Sequence, residues 1–183
     1  MSQPKEVHGS SRGNGDFLFF VCSFGNDEPV EEIVKSYGNL PTEVKLIISG
    51  NWKRRFTTAD MKSMPTNVEF TGFISDAEFT SLMAESSGVV VLTKNEFTLN
   101  CGAYEALSLN KPLLLSNTLA LRGYFKNVAN FVDLRSQESI SSGLRKFQNG
   151  IAEDDLGSRW SSIRDMKKAW SLKADELDYE LDK

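Results

Sequence analysis

Six short apolar runs punctuate the chain: FLFFV (17–21), VKLIIS (44–49), VEFTG (68–72), GVVVL (88–92), PLLLS (112–116) and ANFVD (129–133). Most are continuous rather than alternating, the pattern of strands covered on both faces, as in a parallel sheet. Helical spacing fills most of the gaps. A helix is expected over 28–37, behind Asp27 as N-cap and with Pro29 in its first turn. A second is expected over 76–86, where Ser75 and Glu78 have the spacing of a capping box. Further helices are expected over 101–109 and 136–148, and a short one near 58–63. Strands alternating with helices imply right-handed crossovers. The expected fold is therefore α/β, a single Rossmann-like doubly wound domain with a mainly parallel six-stranded sheet and a long C-terminal helix.

The ends differ from the middle. Residues 1–15 are rich in Ser, Gly and charge and read as a flexible leader. Residues 16–150 hold all six apolar runs, and residues 151–183 read as a helical extension. In that extension Trp160, Ile163, Met166 and Trp170 recur at helical spacing and make one stripe that packs on the domain.

Composition narrows the chemistry. Hydrophobic residues make up 40% and charged residues 25% of 183, the balance of a globular domain with its own core. A net charge of −4 argues against tracking a nucleic-acid backbone, which favours a basic face. Cys22 and Cys101 form neither a CxxC pair nor a disulfide framework, which suits a reducing, cytoplasmic setting. The sole histidine, His8, lies in the leader, so a histidine metal site or a Ser-His-Asp triad is not expected, and no metal is implied. No apolar run is long enough for a membrane span.

Open α/β sheets bind ligands beyond the carboxyl ends of their strands. One stretch there stands out: VVVLTKNEFTLNCGAYEALSLNKPLLLS, residues 89–116. An apolar strand ends at Thr93, a polar loop carries Glu96, and a helix start follows at Cys101-Gly102-Ala103, with Glu105 expected in its first turn. The free N–H groups and positive dipole end of such a helix suit a phosphate. Small side chains there let a ligand approach the backbone. Neither GxGxxG nor GxxxxGK[ST] occurs, so the usual dinucleotide and P-loop fingerprints are missing.

These pieces, in order, resemble the C-terminal domain of GT-B retaining glycosyltransferases of family four, the glycosyl transferases group 1. SGN (49–51), NVEFTGFISDAEFTSLMAESSGVVVLT (67–93) and EFTLNCGAYEALSLNKPLLLSNTLALRGYF (96–125) carry the likeness, and SFGNDEP (23–29) is similar to one subgroup. The resemblance implies a nucleotide-sugar substrate, such as a UDP-, GDP- or ADP-sugar, with no further cofactor, in polysaccharide biosynthesis. By the same resemblance, Glu105 anchors the donor ribose and Glu96 is the catalytic-site carboxylate that touches the transferred sugar. Backbone at Thr98, Leu99, Asn100, Cys101, Gly102 and Ala103 meets the diphosphate. Phe73 and Ile74 contact the base, and Gly50 belongs to the same site.

Three departures stand beside this likeness. Glu96 and Glu105 are one residue further apart than in the family signature, and Phe97 holds the strict position. The family's Arg and Lys after the first strand are absent, leaving Lys53, Arg54, Arg55 or Lys94 to neutralise a diphosphate. The family's acceptor-binding N-terminal domain is also absent. It is expected as a removed domain or a partner subunit, and any peripheral membrane contact would pass through it. The alternative reading is a non-catalytic Rossmann-like docking module that has lost donor binding. A nucleotide-sugar hydrolase or epimerase is a third, though its extra acid and base groups would have to come from another domain.

Overall fold

The computed structural model describes residues 17–41, 43–152 and 157–181; for 152, 157–160 and 174–181 it describes the backbone alone. The leader with His8 lies outside the described residues, as does the side chain of Trp160.

Six strands form one parallel sheet: β1 (Phe17–Phe20), β2 (Lys45–Ile48), β3 (Val68–Phe70), β4 (Gly88–Val91), β5 (Leu113–Ser116) and β6 (Asn130–Val132). Their order is β3-β2-β1-β4-β5-β6, so the winding reverses between β1 and β4. All six coincide with the apolar runs. The runs are continuous because both sheet faces are covered. Leu18, Phe20, Leu46, Ile48, Val90 and Leu114 enter one core cluster. Their strand neighbours Phe17, Phe19, Ile47, Val89, Leu113 and Leu115 enter the other, as the two-residue strand period demands.

Helices α1 (Val30–Gly38) and α6 (Gln137–Ala152) contribute Ile33, Tyr37, Leu144 and Phe147 to the first cluster. The opposite cluster takes Met83 from α3 (Asp76–Glu85), with Ala103, Ala106 and Leu107 from α4 (Cys101–Ser108). It also takes Leu121 and Phe125 from α5 (Leu119–Phe125) and Ile163 from α7 (Gly157–Leu181). A 3-10 turn at Trp52–Arg54 and the short α2 (Thr58–Lys62) complete the chain between β2 and β3.

Several expectations hold in detail. The Ser75–Glu78 capping box forms, with Ser75 N–H donating to Glu78 at 2.9 Å. From the tail stripe, Ile163 is buried and Met166 and Trp170 pack beside it. Lys167 donates to the Ser108 carbonyl at 3.1 Å and so closes the C-terminal end of α4, while Trp170 Nε1 donates to Tyr124 Oη at 2.9 Å.

Four expectations need correction. Helix α1 starts at Val30 with Pro29 in the N-cap position, and Asp27 does not cap it; its carboxylate accepts from Thr93 Oγ1 at 2.5 Å instead. Glu105 lies beyond the first turn of α4, which contains no acidic residue. Helix α6 runs on to Ala152 rather than stopping at 148, because Ile151 continues the apolar stripe against the core. Helix α5 was not anticipated: it is short, and its sequence markers are the cap Thr118, which accepts from Leu121 N–H, and the buried Leu121 and Phe125.

Candidate functional site

The carboxyl ends of the strands carry the loops in which a doubly wound sheet holds its ligand, centred where β1 and β4 lie side by side. Two loops meet there, and they are built differently.

The loop after β1 is closed on itself. Glu28, only 9% exposed, turns its carboxylate back into the loop. Ser23 N–H donates to both carboxylate oxygens at 3.0 and 3.1 Å, Ser23 Oγ donates at 3.0 Å and Gly25 N–H at 2.5 Å. Phe24 takes a left-handed backbone (φ 62°) with its ring buried beside Phe56 and Phe70, so the bend is held by packing as well as by Glu28. From outside, Arg54 donates to the Ser23 carbonyl at 3.0 Å and Arg55 to the Gly25 carbonyl at 2.7 Å. Burial first, and then the charge of Glu28, push the Cys22 thiol far above its usual range.

Between β4 and α4 the backbone is open. Its start is pinned: Thr93 binds Asp27, Lys94 N–H donates to the Asp27 carbonyl at 2.7 Å, and Phe97 N–H donates to Asn95 Oδ1 at 3.0 Å. Regular bonding resumes where Ala103 N–H donates to the Asn100 carbonyl at 3.1 Å. Among the described residues, the N–H groups of Thr98, Leu99, Asn100, Cys101 and Gly102 have no protein acceptor. Asn100 holds the N-cap position without making a side-chain cap bond, and its Oδ1 is buried without a partner. An unsatisfied buried acceptor of this kind costs about 1–3 kcal/mol. Such a helix start can take an oxyanion on its amides and a hydroxyl donor on Asn100.

Each expected site residue can now be placed. Cys101 and Glu105 are exposed on α4, and Glu105 borders a groove of about 510 Å³ against Asp76, Phe79 and Thr80 of α3. Gly102 and Ala103 are buried. Gly102 also has a packing reason, since a Cβ there would lie 2.8 Å from Val21 Cγ1. Phe73 is 86% exposed after the left-handed Gly72, and Ile74 is half-buried. Gly50 (φ 97°) bridges Gly72 and has no room for a Cβ, which would fall 2.4 Å from the Cys22 carbonyl oxygen.

Glu96 stands apart from this group. Its carboxylate accepts from Leu119 N–H at 2.9 Å and its carbonyl from Ala120 N–H at 3.2 Å, so it satisfies the start of α5. It borders a second hollow, about 570 Å³, over the ends of β4, β5 and β6, with Lys94, Asn117, Asp133 and Arg135. Arg135 hydrogen bonds hold the Asp133 carboxyl down at about 2. Asn117, Asp133 and Arg135 were missed in the sequence, because only the arrival of α5 and β6 beside β4 makes them neighbours of Glu96.

The four basic candidates are engaged elsewhere. Lys53 lies over the Trp52 ring at 5.5 Å, Arg54 and Arg55 hold the β1 loop, and Lys94 pairs with Glu32 at 2.6 Å. Burial raises the Glu32 pKa, but the Lys94 hydrogen bond and charge outweigh that and leave it lowered. Trp52 itself is buried and packs in the core. No cluster of three or more metal-ligating side chains occurs among the described residues, and none of their helices is long and apolar enough to cross a membrane.

This arrangement defines a class, the doubly wound Rossmann-like α/β domain, here with an open helix start at its switch point. The comparisons make it specific. The family model for glycosyl transferases group 1 matches residues 4–157, and the chain belongs to that family. Among solved structures, sucrose-phosphate synthase from Thermosynechococcus elongatus aligns with a TM-score of 0.67 at 13% identity, over 93% of this chain and 46% of that one. HepE of Anabaena in complex with UDP aligns with a TM-score of 0.67 at 13% identity, over 91% and 49%. The catalytic domain of cholesterol-alpha-glucosyltransferase from Helicobacter pylori aligns at 0.63 and 12% identity, over 82% and 98%. Identities this low establish the fold alone, here the GT-B half-fold. The chain spans a little under half the length of the first two structures. No curated protein sequence matches it significantly.

Proposed function

We propose that this chain is the donor-binding half of a retaining, metal-independent glycosyltransferase that moves a sugar from a nucleotide-sugar to an acceptor. Residues 16–150 form the binding unit and 151–183 the helical extension. The acceptor half lies outside this chain, as a further domain or a partner subunit, and the chain alone is inactive. The observation that carries this reading is the open helix start of α4 at the switch point, in a chain of this family. Five unpartnered N–H groups and the dipole end of α4 suit a diphosphate whose charge grows as the sugar leaves. Glu105 then receives the ribose hydroxyls, and Phe73 and Ile74 the base. The UDP recorded with HepE supports a nucleoside diphosphate ligand.

Calorimetric titration with UDP, GDP, ADP and their sugars, taken to millimolar ligand, tests this. Binding by one nucleotide class that is lost in Glu105→Ala supports the donor half. The engagement of all four basic candidates favours a second reading, a docking module without a donor. A folded chain that binds none of these ligands would establish that reading instead.

A further inference from the structure

A curled loop whose backbone N–H groups converge makes an anion-binding concavity. The loop after β1 is such a concavity, and it is already full. Ser23 and Gly25 aim their N–H groups inward, the Ser23 hydroxyl joins them, and all three donate to the carboxylate of Glu28. Cys22 Sγ lies 3.5 Å from the same carboxylate. The surroundings also favour a permanent occupant. Glu28 is 9% exposed, the Phe24 ring is buried beside Phe56 and Phe70, and Arg54 and Arg55 donate to the Ser23 and Gly25 carbonyls. A carboxylate with its donors arranged this way is held by charge-assisted hydrogen bonds, which are about twice as strong as neutral ones.

We propose that Glu28 is a built-in anion that occupies the β1 concavity and bars phosphate from it. Any phosphate arriving at the switch point must therefore be held from the β4–α4 side alone. For a donor diphosphate this rests on the reading given above; for Ser23 and Gly25 it does not. A phosphate oxyanion and the Glu28 carboxylate compete for the same N–H groups, and two anions cannot share them without strong repulsion. Glu28 thus acts as a determinant of where an anion sits, not as a group that touches it.

The test follows the backbone amide signals of the full, isotopically labelled chain during titration with orthophosphate and, separately, with UDP, against sodium chloride at matched ionic strength. In the wild-type chain the Ser23 and Gly25 amides should not shift saturably with either ligand. In Glu28→Ala they should shift saturably, with orthophosphate affinity raised at least about tenfold over wild type. Orthophosphate should also raise the thermal midpoint of that variant more than it raises that of the wild type. Glu28→Gln, with one acceptor in place of two oxygens, should show the same gain more weakly and serves if the alanine variant does not fold. Saturable movement of Ser23 and Gly25 in the wild-type chain overturns the proposal, and so does a folded variant with no gain. If UDP leaves 98–102 unmoved while orthophosphate still enters Glu28→Ala, the donor reading fails and this inference stands.

Discussion

The loops after β1 and β4 flank the same switch point and end in opposite states. After β1, a carboxylate from the chain itself satisfies the inward N–H groups. After β4, five N–H groups and one buried amide oxygen have no partner among the described residues. Backbone donors bond to protein when buried and to water when exposed. One half of this sheet edge is therefore closed by the chain's own carboxylate, and the other leaves its donors to solvent or, on the reading proposed above, to a ligand. Each half even carries one cysteine, Cys22 buried and Cys101 exposed.

The cysteines provide the sharpest test of that contrast. A thiol reagent should label Cys101 in the native chain and Cys22 only on unfolding, with rates at least about a thousandfold apart, since a core thiol waits on opening of the fold. Two fast thiols would mean that the β1 loop is not closed. Next in size is the contact between the halves. Gly102→Ala forces its Cβ against Val21 and should cost about 1–3 kcal/mol in urea denaturation. Pairing it with Val21→Ala should recover part of that loss, and strict additivity would deny the contact.

Glu105→Ala should separate ligand from fold. The side chain is exposed, so stability should change by no more than about 0.5 kcal/mol, while nucleotide affinity falls about tenfold or more. A large stability loss with unchanged affinity would reassign Glu105 to structure. The smallest effect concerns the hollow beside Glu96. Asp133 should titrate near 2, with Arg135→Gln returning it toward 3.8 by carboxyl NMR. Its folded pKa is depressed, so its contribution is complete above the unfolded value and fades as pH falls toward 2.

Much of the fold was legible along the chain. Six continuous apolar runs set the strands, and the Ser75–Glu78 spacing set the start of α3, because both signals act within a few residues. The start of α4 at Cys101 was legible for the same reason, whereas Glu105 was placed a turn too early. Helix α5 escaped because about two turns of helix have little periodicity to show. Asp27 read as a cap because a cap is the local partner such a residue ordinarily finds. Thr93, its actual partner, is far away in sequence.

Sequence alone therefore determined most of the elements and their parallel arrangement, since those follow from local patterns and from the rules that connect them. It could not say where the carboxylates point. Glu28 turned inward to fill a loop, Glu96 across to the start of α5, and Glu105 outward beside α3. The hydrogen-bond partner of a carboxylate depends on which backbone N–H groups the packed sheet leaves unsatisfied nearby. Only the tertiary structure decides that.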